Sequence, residues 1–161
     1  MKIAVVSDSH DNLEKIRRMA EIVNGEGVEL LIHCGDFVSP FAVKELLNLI
    51  KCDFFGVFGN NDGEVAGLLK VSGGVIEKPP VAKLIDGQRF AVMHEPLFVD
   101  SLARSGDFDF ILYGHTHEID TRFIDGCQVV NPGELCGYLT GKSTFAILDT
   151  QKLTVEIVEV K

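Results

Sequence analysis

Five short segments concentrate side chains that can hold metal ions or move protons. They are Asp8-Ser9-His10, Gly35-Asp36, Gly59-Asn60-Asn61-Asp62, a lone His94, and Gly114-His115-Thr116-His117. Four of the five histidines lie in them. His115 and His117 are two residues apart, so an extended backbone points both the same way, about 6.5–7 Å apart, a spacing that suits two neighbouring ions. Asp8 and His10 can close on one ion and His117 can join them. Asn60 offers an amide oxygen, and His94 and His115 offer imidazoles, to a second. Asp36 can bridge both. Imidazole, carboxylate and amide without thiolate suit catalytic Mn, Fe, Co, Ni or Zn rather than a structural zinc site. Two such ions can activate a shared water and clamp the oxygens of an in-line displacement. Taken singly the segments are ordinary turn sequences; their joint placement carries the inference.

Each segment follows an expected strand. Lys2–Ser7, Glu29–Cys34 and Asp53–Phe58 are short apolar runs rich in β-branched and aromatic residues. Between them lie amphipathic helices. The first is expected to start on Asp11 as its N-cap with Glu14 three residues on, and to stop at Gly25 and Gly27. The second opens at Ser39-Pro40. Glu64–Leu69 suits a short helix, as does Phe98–Arg104. The second half carries hairpin signals at Asp86-Gly87 and Asp125-Gly126, a strand at Phe108–Tyr113, and a closing hairpin of Thr144–Leu148 with Leu153–Val160. Strands alternating with helices and then giving way to hairpins predict an α/β fold: a four-layer αββα sandwich, two mixed β-sheets flanked by helices, in one domain over residues 1–161. Ligands in open α/β sheets gather outside the carboxyl ends of strands, where all five segments fall.

Composition narrows the function. The chain has 161 residues, 46% hydrophobic and 24% charged, with 24 acids against 15 bases and a net charge of −9. An acidic surface disfavours long nucleic acids but admits a small phosphate ester when metal ions neutralise the site. No apolar stretch is long enough to span a membrane or serve as a secretory leader, so no membrane partner is expected and the expected location is cytoplasmic. The four cysteines, Cys34, Cys52, Cys127 and Cys136, form no CxxC pair and read as reduced thiols.

In this order, D-x-H, GD, GN-x-D, a lone His after a strand, and GHTH resemble the calcineurin-like metallophosphoesterase superfamily. The near-terminal Asp8-Ser9-His10 and the Asn131-Pro132-Gly133 segment resemble its small YfcE-type phosphodiesterase branch. The resemblance implies one metal at Asp8, His10, Asp36 and His117, and another at Asp36, Asn60, His94 and His115. It implies a metal-bridging hydroxide attacking the phosphorus of a small phosphodiester. The implied cofactors are two divalent ions, Mn2+ first, with Ni2+, Zn2+, Fe2+ or Co2+ as alternatives. Relatives commonly self-associate, so a homo-oligomer is a further expectation.

The departures from the family pattern concern the leaving group and the substrate. Asn61 stands where many members have a histidine after the GN asparagine; an amide donates a hydrogen bond but is no general acid near neutral pH. Asn61 and Asp36 are the expected catalytic residues. Glu95, after His94, and Glu134, where a serine is usual after Asn-Pro-Gly, are expected with Asn61 to line the substrate site, Glu134 repelling dianionic monoesters. Phe37 and Leu97 are expected to shape the same pocket. His33 is expected in a structural role, orienting the carboxylate of Asp36. Alternatives are a phosphomonoesterase on the same metals, a non-catalytic scaffold like the retromer subunit related to this family, and a receiver- or flavodoxin-like regulator. The complete ligand set disfavours the scaffold, and the histidines and hairpins disfavour the regulator.

Overall fold

A computed structural model describes all of residues 1–161. Its elements run β1 (Lys2–Val6), α1 (Leu13–Gly25), β2 (Leu30–His33), α2 (Pro40–Leu49), β3 (Asp53–Val57), α3 (Val65–Ser72), β4 (Ile76–Glu77), β5 (Val81–Ile85), β6 (Gln88–Val92), α4 (Val99–Arg104), β7 (Phe110–Leu112), β8 (Ile119–Ile124), β9 (Cys127–Pro132), β10 (Thr144–Asp149) and β11 (Thr154–Glu159). A six-stranded sheet has the order β11-β10-β1-β2-β3-β4, and a five-stranded sheet the order β5-β6-β7-β9-β8. Both are mixed. The first pairs β1, β2, β3 and β4 in parallel and adds β10 and β11 antiparallel. No helix is long and apolar enough to cross a membrane.

The strand period of two builds the layers. On β1, Ile3 and Val5 face the second sheet, where they meet Phe90, Phe110, Leu112 and Val130. Ala4 and Val6 face the other way, onto Ile16, Met19 and Val23 of α1 and Leu46 of α2. A strand buried on both faces needs an apolar residue at every buried position, which Ile3-Ala4-Val5-Val6 supplies. Between the sheets the rings of Phe90 and Phe110 stack at 4.6 Å. Truncating either to alanine is expected to cost about 3–5 kcal/mol. Outside the second sheet lies only α4, whose Val99 and Ala103 pack on Met93, Ile111 and Val129. The αββα architecture is as expected, with its fourth layer reduced to six residues.

Local differences from the sequence reading have identifiable causes. Asn12, not Asp11, caps α1, its side chain accepting from Lys15 N at 3.3 Å. Asp11 instead accepts from the backbone N–H and hydroxyl of Ser39, tying the β1 loop to the start of α2. The short helix begins one residue later than Glu64 and runs on to Ser72, closed by Gly73 in the left-handed conformation. Two-residue β4 was not anticipated: it is an edge pairing with Gly56 and Val57, too short to leave a periodic signal.

Candidate metal centre

The loops after β1, β2, β3, β6 and β7 meet at one rim, where the two sheets abut. Backbone bonds join them: Asp8 N–H donates to Gly35 O, His10 N–H to Asp36 O, Gly114 N–H to His94 O, and Cys136 N–H to Asp8 O. Asp62 is a clamp that the sequence reading did not single out. Buried, it accepts from the backbone N–H groups of Asp36, Val38 and Gly59, so one carboxylate holds the β2 and β3 loops in register. Burial raises its pKa against the pull of those donors. Asn131 plays the corresponding part for the β7 loop, donating to Gly114 O and Thr116 Oγ1 at 3.0 Å each. Two glycines are required by close approach. A Cβ at Gly114 would collide with Ser7 Oγ, and one at Gly59 with the Asp36 carboxylate.

Of the seven candidate ligands, Asp8, His10, Asp36, His115 and His117 have φ between 38° and 68°. The left-handed region costs a non-glycine residue about 1–3 kcal/mol, though Asp, Asn and His tolerate it best. A rim that keeps five such residues strained is over-determined by its surroundings, the usual condition of a working site.

The seven side chains converge as two groups sharing Asp36. In the first, Asp8 Oδ1 lies 3.4 Å from His117 Nε2 and 3.8 Å from His10 Nε2. The other Asp8 oxygen is taken by the Ser7 hydroxyl at 2.6 Å and His115 N–H at 3.0 Å. Asp8 Oδ1 and His10 Nε2 are buried and have no hydrogen-bond partner. Such an atom normally costs about 1–3 kcal/mol, and two facing each other suit a cation between them. In the second group, Asn60 Oδ1 lies 2.9 Å from His94 Nε2 and 2.8 Å from His115 Nδ1, and His94 Nε2 lies 3.4 Å from Asp36 Oδ2. Asp36 Oδ2 is also 3.5 Å from His10 Nε2, so this one oxygen faces both groups. These separations suit donors each about 2.0–2.2 Å from a common ion, and nitrogen and oxygen donors without thiolate suit a catalytic divalent metal. The residues present therefore fit two ions.

Charge follows the geometry. Burial opposes ionisation of Asp36, yet His94 and two N–H donors of Asn61, at 2.8 and 2.7 Å, hold its carboxyl well below the usual range. Burial likewise opposes protonation of His94, but Asp36 and the Cys34 carbonyl outweigh it, and its pKa is raised. His94 Nδ1 lies 2.8 Å from that carbonyl, which leaves Nε2 to the site. The Asp8 carboxylate raises His10 in the same way.

Four expected roles change. Glu134 does not line the substrate site. It is fully buried behind His117, whose Nδ1 it meets at 2.6 Å, and it accepts from the Cys136 thiol, Leu139 N–H, and the N–H and hydroxyl of Thr140. Burial opposes its ionisation, but these donors bring its pKa down to about 2. Its charge is spent orienting His117, leaving none to repel a monoester. Asn61 turns its amide onto Asp36 instead of outward. His33 does not touch Asp36. It accepts from Gly35 N–H, reaches Ser9 Oγ at 3.0 Å and stacks on Phe37 at 3.8 Å; both rings are buried, so Phe37 shapes no pocket. Glu95 and Leu97 are exposed, and both line a cleft of about 290 Å3 next to Asn60 and His94. All four cysteines are free thiols.

Comparison with known proteins gives the family. Residues 1–153 match the calcineurin-like phosphoesterase superfamily domain. The chain is 43% identical over 158 residues to a phosphodiesterase of Methanocaldococcus jannaschii, covering 94% of this chain and 95% of that one. The solved structure of an archaeal phosphodiesterase superposes with a TM-score of 0.92 at 40% identity, covering 99% of both chains. Similarity extends, at 25% identity over 98% of this chain and 83% of the relative, to the vacuolar protein sorting-associated protein 29 of Schizosaccharomyces pombe.

Proposed function

The chain belongs to the calcineurin-like phosphoesterase superfamily, and we propose that it is a metal-dependent phosphodiesterase acting on a small phosphodiester. Asp8, His10, Asp36 and His117 would hold one divalent ion and Asp36, Asn60, His94 and His115 the other, with Mn2+ the first candidate for both. When bound, the two ions supply positive charge to the phosphoryl oxygens and lower the pKa of a water between them. The observation that carries this reading is Asp36 Oδ2, which lies 3.5 Å from His10 and 3.4 Å from His94 and so belongs to both ligand groups.

The chain's own residues do the positioning. Asp36 is kept anionic and aimed by Asn61. His94 is turned by the Cys34 carbonyl and His117 by Glu134, each presenting Nε2 inward. Asp8 is turned by Ser7 and His115 N–H so that Oδ1 faces the site. Asn61 is committed to Asp36 and has no acid function, so the departing oxygen leaves with little proton assistance. A low-pKa aryloxide tolerates this and an alkoxide does not.

Metal-stripped protein reloaded with Mn2+, Ni2+, Zn2+ or Mg2+ tests the reading on paired aryl diester and aryl monoester substrates, with metal analysis alongside. Two ions per chain and preferential diester turnover are expected. A ceiling of one ion under excess metal rejects the dinuclear site; preferential monoester turnover rejects the diester assignment. A purely scaffolding role, the reading that the likeness to the sorting protein would favour, requires that no loaded form turns over either ester.

A further inference from the structure

Resting on the phosphodiesterase reading, we propose that the cleft beside Asn60 and His94 is a subsite for one substituent of the diester. Its ligand is a neutral heteroaromatic ring of nucleoside size, whose polar edge is read by Lys78 and Glu95.

The cleft shares Asn60 and His94 with the candidate metal centre, so a group in it is attached at or next to the reacting phosphorus. Its surface is mostly apolar, with Phe58, Met93, Leu97, Pro79 and Pro80 among the lining residues. Aromatic and proline side chains with an apolar surface suit a ring system, while the few polar groups among them fix its orientation. A volume of about 290 Å3 lies at the small end of small-molecule sites, with room for one such group and none for a polymer.

Lys78 and Glu95 are its charged lining residues besides His94. Both are exposed, and neither forms an ion pair or a side-chain hydrogen bond, whereas nearby Lys83 and Glu77 pair with each other. An ammonium only donates and a carboxylate only accepts. Together they complement a ring edge that carries both an acceptor and a donor, as a nucleobase does. A second anionic group would satisfy Lys78 but oppose Glu95. A plain alkyl or phenyl group would use neither.

Two esters with the same p-nitrophenolate leaving group test this: methyl p-nitrophenyl phosphate and thymidine 5′-(p-nitrophenyl phosphate). The thymidine ester is expected to show a KM about tenfold lower. In Lys78→Ala and in Glu95→Ala the ratio of the two KM values should move toward one. Equal KM values in the parent protein overturn the subsite, and a ratio that neither substitution changes overturns the roles of Lys78 and Glu95. If neither ester is turned over by metal-loaded protein, the phosphodiesterase reading fails. The subsite then stands or falls on saturation-transfer NMR of thymidine with metal-free protein. Transfer to the base protons that weakens in Lys78→Ala supports it, and no transfer in the parent protein overturns it.

Discussion

The two sides of the candidate centre solve the same ligand problem differently. On the side of Asp8, His10 and His117, two of the three donors are held from behind: Ser7 and His115 N–H grip Asp8, and buried Glu134 grips His117. The donors stay 3.4–3.8 Å apart and two of their atoms have no partner. On the side of Asn60, His94 and His115, two of the three residues are exposed, and Asn60 Oδ1 meets both imidazoles at 2.8–2.9 Å. His94 faces acceptors on both ring nitrogens, and Asp36 and the Cys34 carbonyl raise its pKa against the effect of burial. The first side is a socket strained in favour of a cation. The second satisfies itself through hydrogen bonds among its own members, which a metal must displace. The expected consequence is stepwise loading, the first side tighter.

Asp36 belongs to both sides, and removing its charge should erase the distinction. Asp36→Asn is expected to lower diester turnover by more than roughly 10²-fold, beyond what loss of a residue acting only through a ligand usually costs. Metal analysis of the variant should show fewer than two ions; two tightly held ions would remove Asp36 from the bridging role.

His33 supplies the contrast to His94. Burial pushes its pKa down to about 3, so it stays neutral in the folded chain while an unfolded histidine titrates near 6.5. Protons therefore bind the unfolded state preferentially. The contribution of His33 is intact above pH 6.5 and is lost as pH falls toward 3, on the order of 3 kcal/mol by pH 4. Denaturant titrations of metal-free protein at pH 7 and pH 4, compared with a His33→Gln variant, should show a smaller pH dependence in the variant. Equal slopes would mean that His33 is protonated in the fold.

Glu134→Ala should weaken the first, tighter step of a metal titration by about 10- to 100-fold and leave the second step closer to its original value. Glu134→Gln should recover part of the loss, because its amide oxygen can still accept from His117. If the second step is the one that moves, the assignment of sides is inverted.

The smallest effect belongs to Asn61→Ala. Its backbone N–H still holds Asp36 Oδ1, so only one of two bonds is lost, and turnover of an aryl diester should fall by no more than about tenfold. A loss comparable to that of Asp36→Asn would assign Asn61 a direct part in the chemistry.

The sequence by itself determined which residues meet. Strand periodicity located β1, β2, β3, β6 and β7, and the rule that ligands gather at carboxyl ends of strands put Asp8, His10, Asp36, Asn60, His94, His115 and His117 on one rim. The Asp-Gly pairs placed two hairpins, and strands that alternate with helices and then give way to hairpins implied two sheets. What only the tertiary structure decided is which way the polar side chains turn within that rim. Glu134 reads as a surface acid after a turn, yet the chain crossing from β9 to β10 carries it behind His117. Asp62 sits in a run of turn residues, and nothing local says that its carboxylate will collect N–H groups from Asp36 and Val38, more than twenty positions away. Asn61 looks free until the β2 and β3 loops are clamped side by side, which brings its amide onto Asp36. Backbone elements follow from local periodicity because their hydrogen bonds repeat along the chain. A buried polar side chain takes whichever partner the packing brings near, and that partner can lie anywhere in the sequence.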